Sequence, residues 1–95
     1  MKKGQLENGF KFEVDEKALE DMEVVDCLAV FRECVDEETE PDVVALKTLG
    51  DKILGAKQKK ALYDHIREDD GRVDPEVYVE ALFEVINKLG DEGKN

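Results

Sequence analysis

Hydrophobic and polar positions alternate with period two over one short stretch of the chain. Elsewhere they recur with a helical period. Phe10, Phe12 and Val14 alternate with Lys11 and Glu13, as in a half-buried strand. Asn8-Gly9, a pair that tolerates positive φ, precedes them, so a β-hairpin is expected over about residues 5–14 with Asn8-Gly9 as its tight turn. Its first arm is short, and an isolated hairpin is marginal, so its aromatic face must pack on helices or on another chain.

From Met22 to Val35 the spacing turns helical. Val24, Cys27, Leu28, Phe31, Cys34 and Val35 fall within an arc of about 120° at 100° per residue. Val25, Ala29 and Val30 lie outside the arc, as if this helix were covered on more than one side, and it is expected to be the central core helix. Asp15 offers a cap upstream, and the pattern leaves open whether one helix runs from Glu16 or a new one starts near Asp21. After the acidic connector Asp36–Pro41, with Pro41 suited to a first helical turn, Val43, Leu46 and Leu49 predict a short helix that Gly50 stops. Residues 51–55 are ambiguous, with Ile53 and Leu54 as expected core anchors.

A further helix is expected from about Ala56 to Glu68, with Leu62, Tyr63, Ile66 and the stem of Lys59 on its buried side. The last helix is the best marked: Asp74-Pro75-Glu76 supplies a cap, a proline at the first position and a carboxylate near the positive end. Its stripe is Tyr78, Val79, Leu82, Val85, Ile86 and Leu89, extended by Phe83, and Gly90 is expected to end it. Residues 91–95 read as a disordered polar tail. The fold class is therefore mainly α: one domain over residues 1–90, a small bundle of about four helices with an N-terminal β-hairpin.

Charge narrows the function. With 95 residues, 41% of them charged, and a net charge of −11, the chain is poorly matched to a phosphate backbone. No apolar run approaches the ~20 residues that span a bilayer, and the basic start lacks the apolar segment of a signal peptide, so a cytoplasmic protein is expected. The dense positive charge, Lys57, Lys59 and Lys60, is ordinarily a solvated face; the alternative is docking onto an acidic partner or onto the chain's own acidic helices.

No motif carries catalysis. The chain has no serine, and its lone histidine, His65, shares a helix with Tyr63 and Asp64 that point elsewhere. Cys27 and Cys34, two helical turns apart, cannot bridge each other within one helix. Asp70-Gly71 imitates the centre of a calcium loop, but with Gly71 at position six Ile66 and Val77 fall at positions one and twelve, which need an aspartate and a glutamate. A non-enzymatic protein without metal or cofactor is expected. Candidate partner-binding residues are Phe10 and Phe12 of the hairpin, Val25 and Val30 of the first long helix, and Glu76, Glu80 and Glu84 of the last.

Residues 6–26 (LENGFKFEVDEKALEDMEVVD), residues 54–73 (LGAKQKKALYDHIREDDGRV) and the helix after them resemble the small tail assembly chaperones of long-tailed phages and prophages of Gram-positive bacteria. The motifs behind the likeness are Asn8-Gly9, Glu20-Asp21-Met22-Glu23, Tyr63-Asp64-His65 and Asp70-Gly71, and it covers most of residues 6–89. The resemblance implies an assembly factor of the host cytoplasm, absent from the mature virion, that binds the tape measure protein and helps recruit tail-tube subunits. It leaves a homo-oligomer open, with the hairpin pairing within or between chains. Members of that family often have a longer frameshifted form; the resemblance leaves one open here, since Gly93-Lys94-Asn95 could be encoded by codons that contain an A-rich slip site. The rival reading is a small acidic regulator or DNA mimic that binds a basic partner.

Overall fold

A computed structural model describes residues 2–38 and 42–92. Strand β1 (Lys2–Gln5) pairs antiparallel with β2 (Lys11–Val14), and a single 3₁₀ stretch (Glu16–Glu20) leads into four helices: α1 (Met22–Asp36), α2 (Val43–Ile53), α3 (Gly55–Ile66) and α4 (Pro75–Glu92). The mainly helical architecture with an N-terminal hairpin is the one the sequence pattern predicts.

The hairpin turns differently from expectation. Only Gly9 of the Asn8-Gly9 pair has positive φ (+92°). The Gly9 N–H donates to the Leu6 carbonyl at 2.9 Å, the Leu6 N–H to the Phe10 carbonyl at 2.8 Å, and the Phe10 N–H to Asn8 Oδ1 at 2.9 Å. This is a three-residue loop closing on a left-handed glycine, and it moves the first arm back to Lys2. The same turn recurs between α3 and α4. There the Gly71 N–H meets the Glu68 carbonyl at 2.9 Å, the Glu68 N–H the Arg72 carbonyl at 2.8 Å, and the Arg72 N–H Asp70 Oδ1 at 2.9 Å, with Gly71 at φ +90°. In both, an Asn or Asp before glycine closes the loop with its own side chain.

The open question at residues 16–21 resolves into two elements. Asp15 caps the 3₁₀ stretch through the Lys17 N–H, and Asp21 accepts from the Glu23 N–H at the start of α1. Asp42 caps α2 by accepting from the Ala45 N–H at 3.1 Å, so the described helix begins at Val43; the expectation for Pro41 lies outside the described residues. Asp74 accepts from the Glu76 N–H at 2.9 Å, and Pro75 opens α4 as expected. At the other end α4 runs past Gly90 to Glu92; residues 93–95, the rest of the expected tail, lie outside the described residues.

One core gathers both classes of element. Leu6, Phe10, Phe12 and Val14 of the hairpin are buried with Val24 and Phe31 of α1, Leu49, Ile53 and Leu54 around the end of α2, and Leu62 of α3. The centre, however, is α4 and not α1: Tyr78, Ala81, Leu82, Val85, Ile86 and Leu89 are all buried. The expected α1 arc shows why. Cys27 and Leu28 are only partly buried, because α1 packs chiefly on its antiparallel neighbour α2 and lies at the edge of the bundle. Lys52 near the end of α2 reaches Asp21 (3.2 Å) and Glu23 (3.3 Å) at the start of α1, which sets that antiparallel pairing. Edge-to-face rings complete the interior: Phe31 on Phe83 at 5.5 Å and Tyr63 on Tyr78 at 5.0 Å.

Gly50 does not stop α2; it is buried within it. A Cβ there would collide with the Tyr78 hydroxyl, so the missing side chain is what lets Tyr78 seat against α2. That hydroxyl is buried without a hydrogen-bond partner among the described residues. Burial, with Tyr63 adding to it, pushes the Tyr78 phenol well above its ordinary range, so it stays neutral. The chain turns instead at Leu54-Gly55, where Gly55 has φ +79°.

Gly50→Ala is therefore expected to destabilise the fold although alanine is the better helix former. Overpacking costs about 1–3 kcal/mol, against about 1 kcal/mol gained in propensity. Tyr78→Phe introduced with it should recover most of the loss. Urea unfolding of the two variants checks this; a Gly50→Ala chain as stable as the parent would show that no such contact exists.

Candidate functional site

The groups that the sequence offers for chemistry are each held by their own surroundings. Burial, and after it the Asp26 and Glu23 carboxylates, push the Cys27 thiol up, which disfavours the reactive thiolate. His65 is exposed on α3, yet it is tied to the hairpin: its Nε2 lies 2.9 Å from the Asn8 carbonyl and its ring is tilted on Phe10 at 5.6 Å. In the calcium-like turn, Asp70 is engaged by Arg72, whose backbone N–H and Nε both donate to its carboxylate (2.9 and 2.8 Å). These contacts hold the Asp70 carboxyl below its usual range. Glu68, from the same turn, also reaches the Arg72 guanidinium at 3.3 Å.

What the fold does assemble is an open groove of about 590 Å³ where the first turns of α2 and α4 face each other. Val43 and Leu46 form one wall; Pro75 and Val79 form the other; Asp74, Glu76 and Glu80 supply carboxylates along it. The two Asp caps set both helix starts here, so the groove is a product of capping as much as of packing. Val43, expected in a core stripe with Leu46 and Leu49, is 76% exposed, and Val44 is 74% exposed. The stripe is rotated: Ala45, Leu49 and Ile53 face the core, leaving both valines in water.

The sequence-derived candidates divide. Phe10 and Phe12 are buried within their own chain, 8% and 3% exposed, so neither is a surface contact; the hairpin packs its aromatic face inward on the helices. Val30 is partly buried against the core, whereas Val25 stays 42% exposed near the start of α1, with Met22 also exposed. Glu76 and Glu80 are exposed and make no ion pair among the described residues. Glu84 breaks the expected acidic line. It is partly buried, its Oε2 accepts the Glu7 N–H at 2.9 Å, and Lys88 lies 3.9 Å away, so it fastens the hairpin loop to α4. The groove itself was missed. Its sequence signal was the Val43-Val44 pair after the Asp42 cap, two adjacent β-branched residues that cannot both belong to one narrow stripe.

The lysine run also divides. Lys57 and Lys60 are exposed, while Lys59 lies over the Tyr63 ring (5.8 Å) and pairs with Asp51 at 3.0 Å. Lys47 holds the same carboxylate from the other side at 2.8 Å. Part of the basic run therefore docks onto the chain's own α2. Comparison of the chain with protein-family models, with curated proteins and with solved structures returned no match.

The Asp51 clamp has a pH signature. Lys47 first, then Lys59, lower the Asp51 carboxyl, so its contribution is complete above the ordinary carboxylate value of about 4 and is lost as pH falls through the lower folded value. Lys47 is raised by the same contact, so its share is complete below about 10.4 and is lost as pH rises through the higher folded value. The stability difference between the parent chain and Asp51→Asn, measured by urea unfolding, is expected to be flat between these limits and to shrink in acid and in strong base. Because Lys47 and Asp51 are exposed, with only the Lys59 side chain largely covered, the effect should be small and weakened by salt.

Proposed function

We propose that the chain is a tail assembly chaperone of a long-tailed phage or prophage. In this reading it binds the tape measure protein without catalysing a reaction and helps bring tail-tube subunits to it in the host cytoplasm. The observation that carries the reading is the α2–α4 groove, with the exposed Val43 beside Leu46 on one side and carboxylates on the other. A long helical partner exposes apolar surface that aggregates unless it is covered. A groove of this kind suits such a helix: its apolar residues would sit on Val43, Leu46 and Val79, and lysines or arginines beside them would face Glu76 and Glu80. The sequence resemblance across residues 6–89 supports the same assignment.

Exposed and unpaired Glu76 and Glu80 also favour the second reading, a small acidic regulator or DNA mimic that occupies a basic groove. The two separate by which residues matter. A chaperone depends on the valines and tolerates salt; a mimic depends on the carboxylates and is released by salt.

Co-expression with tape measure fragments is expected to keep those fragments soluble, and Val43→Ser with Val79→Ser is expected to return them to the pellet. Circular dichroism should remain that of the parent, since Val43 is exposed and Val79 only partly covered, and substitutions outside the core usually change stability by only about 0.5 kcal/mol. Fragments that precipitate with the parent chain would defeat the proposal. So would a gene neighbourhood without a tape measure gene.

A further inference from the structure

The hairpin has two outer edges, and the fold treats them differently. On β2, Gln58 of α3 acts in place of a third strand: its Oε1 accepts the Glu13 N–H at 2.8 Å and its Nε2 donates to the Glu13 carbonyl at 2.7 Å. That edge is closed. The same observation fixes the polarity of the ladder. Because both Glu13 backbone groups point outward, Lys3↔Glu13 is a non-hydrogen-bonded pair, and so, two residues on, is Gln5↔Lys11. The backbone groups of Lys3 and Gln5 therefore point away from β2, along the outer edge of β1. No other strand adds there among the described residues: the sheet has two strands, and no hydrogen bond to the outward backbone groups of Lys3 and Gln5 is present.

We infer that the β1 edge pairs with β1 of a second copy of this chain, giving a continuous four-stranded antiparallel sheet about a two-fold axis at Gly4. The register follows from the residues. With Gly4 opposite Gly4, each Lys3 lies opposite a Gln5 and exchanges both N–H···O bonds with it, twice over by symmetry. No lysine directly faces a lysine, so the edge lysine, which deters indiscriminate pairing, is accommodated in this register. A slip of two residues places Lys3 against Lys3.

Charge is compatible with the same surface. The chain carries −11 overall, so most approaches of one copy to another bring carboxylates together. Like the lysine run of α3, the hairpin is an exception, with formal charge of Lys2, Lys3 and Lys11 against Glu7 and Glu13. Packing agrees as well. The face of β1 at Gly4 is filled by the Phe12 ring from β2, so that face is covered within the chain while the edge stays open.

Such a short edge makes a weak, concentration-dependent dimer, which sedimentation equilibrium of the full chain from low to high micromolar concentration should show as a rise toward doubled mass. Lys3→Pro removes an N–H that the hairpin does not use, so it is expected to abolish the rise while leaving circular dichroism unchanged. Amide exchange gives an independent reading on the unaltered chain: the Lys3 and Gln5 amides should become protected as concentration rises. A chain that stays monomeric throughout, an association that survives Lys3→Pro, or Lys3 and Gln5 amides that exchange fast at every concentration would overturn the proposal.

Discussion

The contact between Gly50 and Tyr78 is the constraint on which the rest of the arrangement depends. Tyr78 is the first buried residue of α4 after its cap, and it is seated against α2 only because Gly50 presents backbone where any other residue would present a side chain. Once Tyr78 is placed, the helical period carries Leu82, Val85, Ile86 and Leu89 into the core behind it. Tyr63 then packs edge-on against Tyr78, and Lys59 lies over Tyr63 with its charge on Asp51 of α2. A single close approach thus ties α2, α3 and α4 together. The approach is local, however: Val43 and Leu46, about two turns and one turn before Gly50, stand apart from Pro75 and Val79, and the groove is the space left there.

The hairpin is held to this frame by polar contacts that no apolar pattern reveals. Glu84 accepts from Glu7, His65 meets the Asn8 carbonyl, and Gln58 spans the Glu13 backbone. Each uses a side chain whose ordinary reading is a solvated helix face. A net contribution of about 0.5–1.5 kcal/mol is typical of one hydrogen bond, so their value lies less in stability than in orientation. Glu84 and His65 fix the hairpin loop, and Gln58 closes the β2 edge of the sheet. The twin turns at Gly9 and Gly71 serve the same end, since each reverses the chain within a few residues and lets its flanking elements pack at once.

The fold class, the hairpin and the last helix were legible in sequence because each is dictated locally. Period-two alternation marks β2, and Asp74-Pro75 with the stripe from Tyr78 marks α4. Gly50 was misread for a physical reason: a glycine inside a helical pattern is the same letter whether it ends a helix or admits a neighbour's ring, and only the tertiary contact separates the two. Gly90 was misread likewise, and the true break came at Gly55, where positive φ is required. The central role given to α1 failed because its arc counts apolar residues without regard to what covers them; Cys27 and Leu28 lie at the rim. Phe10 and Phe12 were legible as a packed face but not as one satisfied within the chain.

The same reasoning limits what the acidic composition can mean. Of the Glu76–Glu80–Glu84 series, equal by spacing, the fold engages Glu84 and leaves the other two in water beside the exposed Val43 and the half-buried Val79. Like carboxylates one turn apart slightly weaken an isolated helix, so Glu76 and Glu80 gain nothing for α4 by being together. Their cost is relieved when a cation approaches, and the valines beside them gain only when an apolar surface approaches. An occupant that supplies both, a helix with an apolar stripe flanked by basic residues, satisfies the groove more fully than a purely basic surface, which would leave Val43 in water.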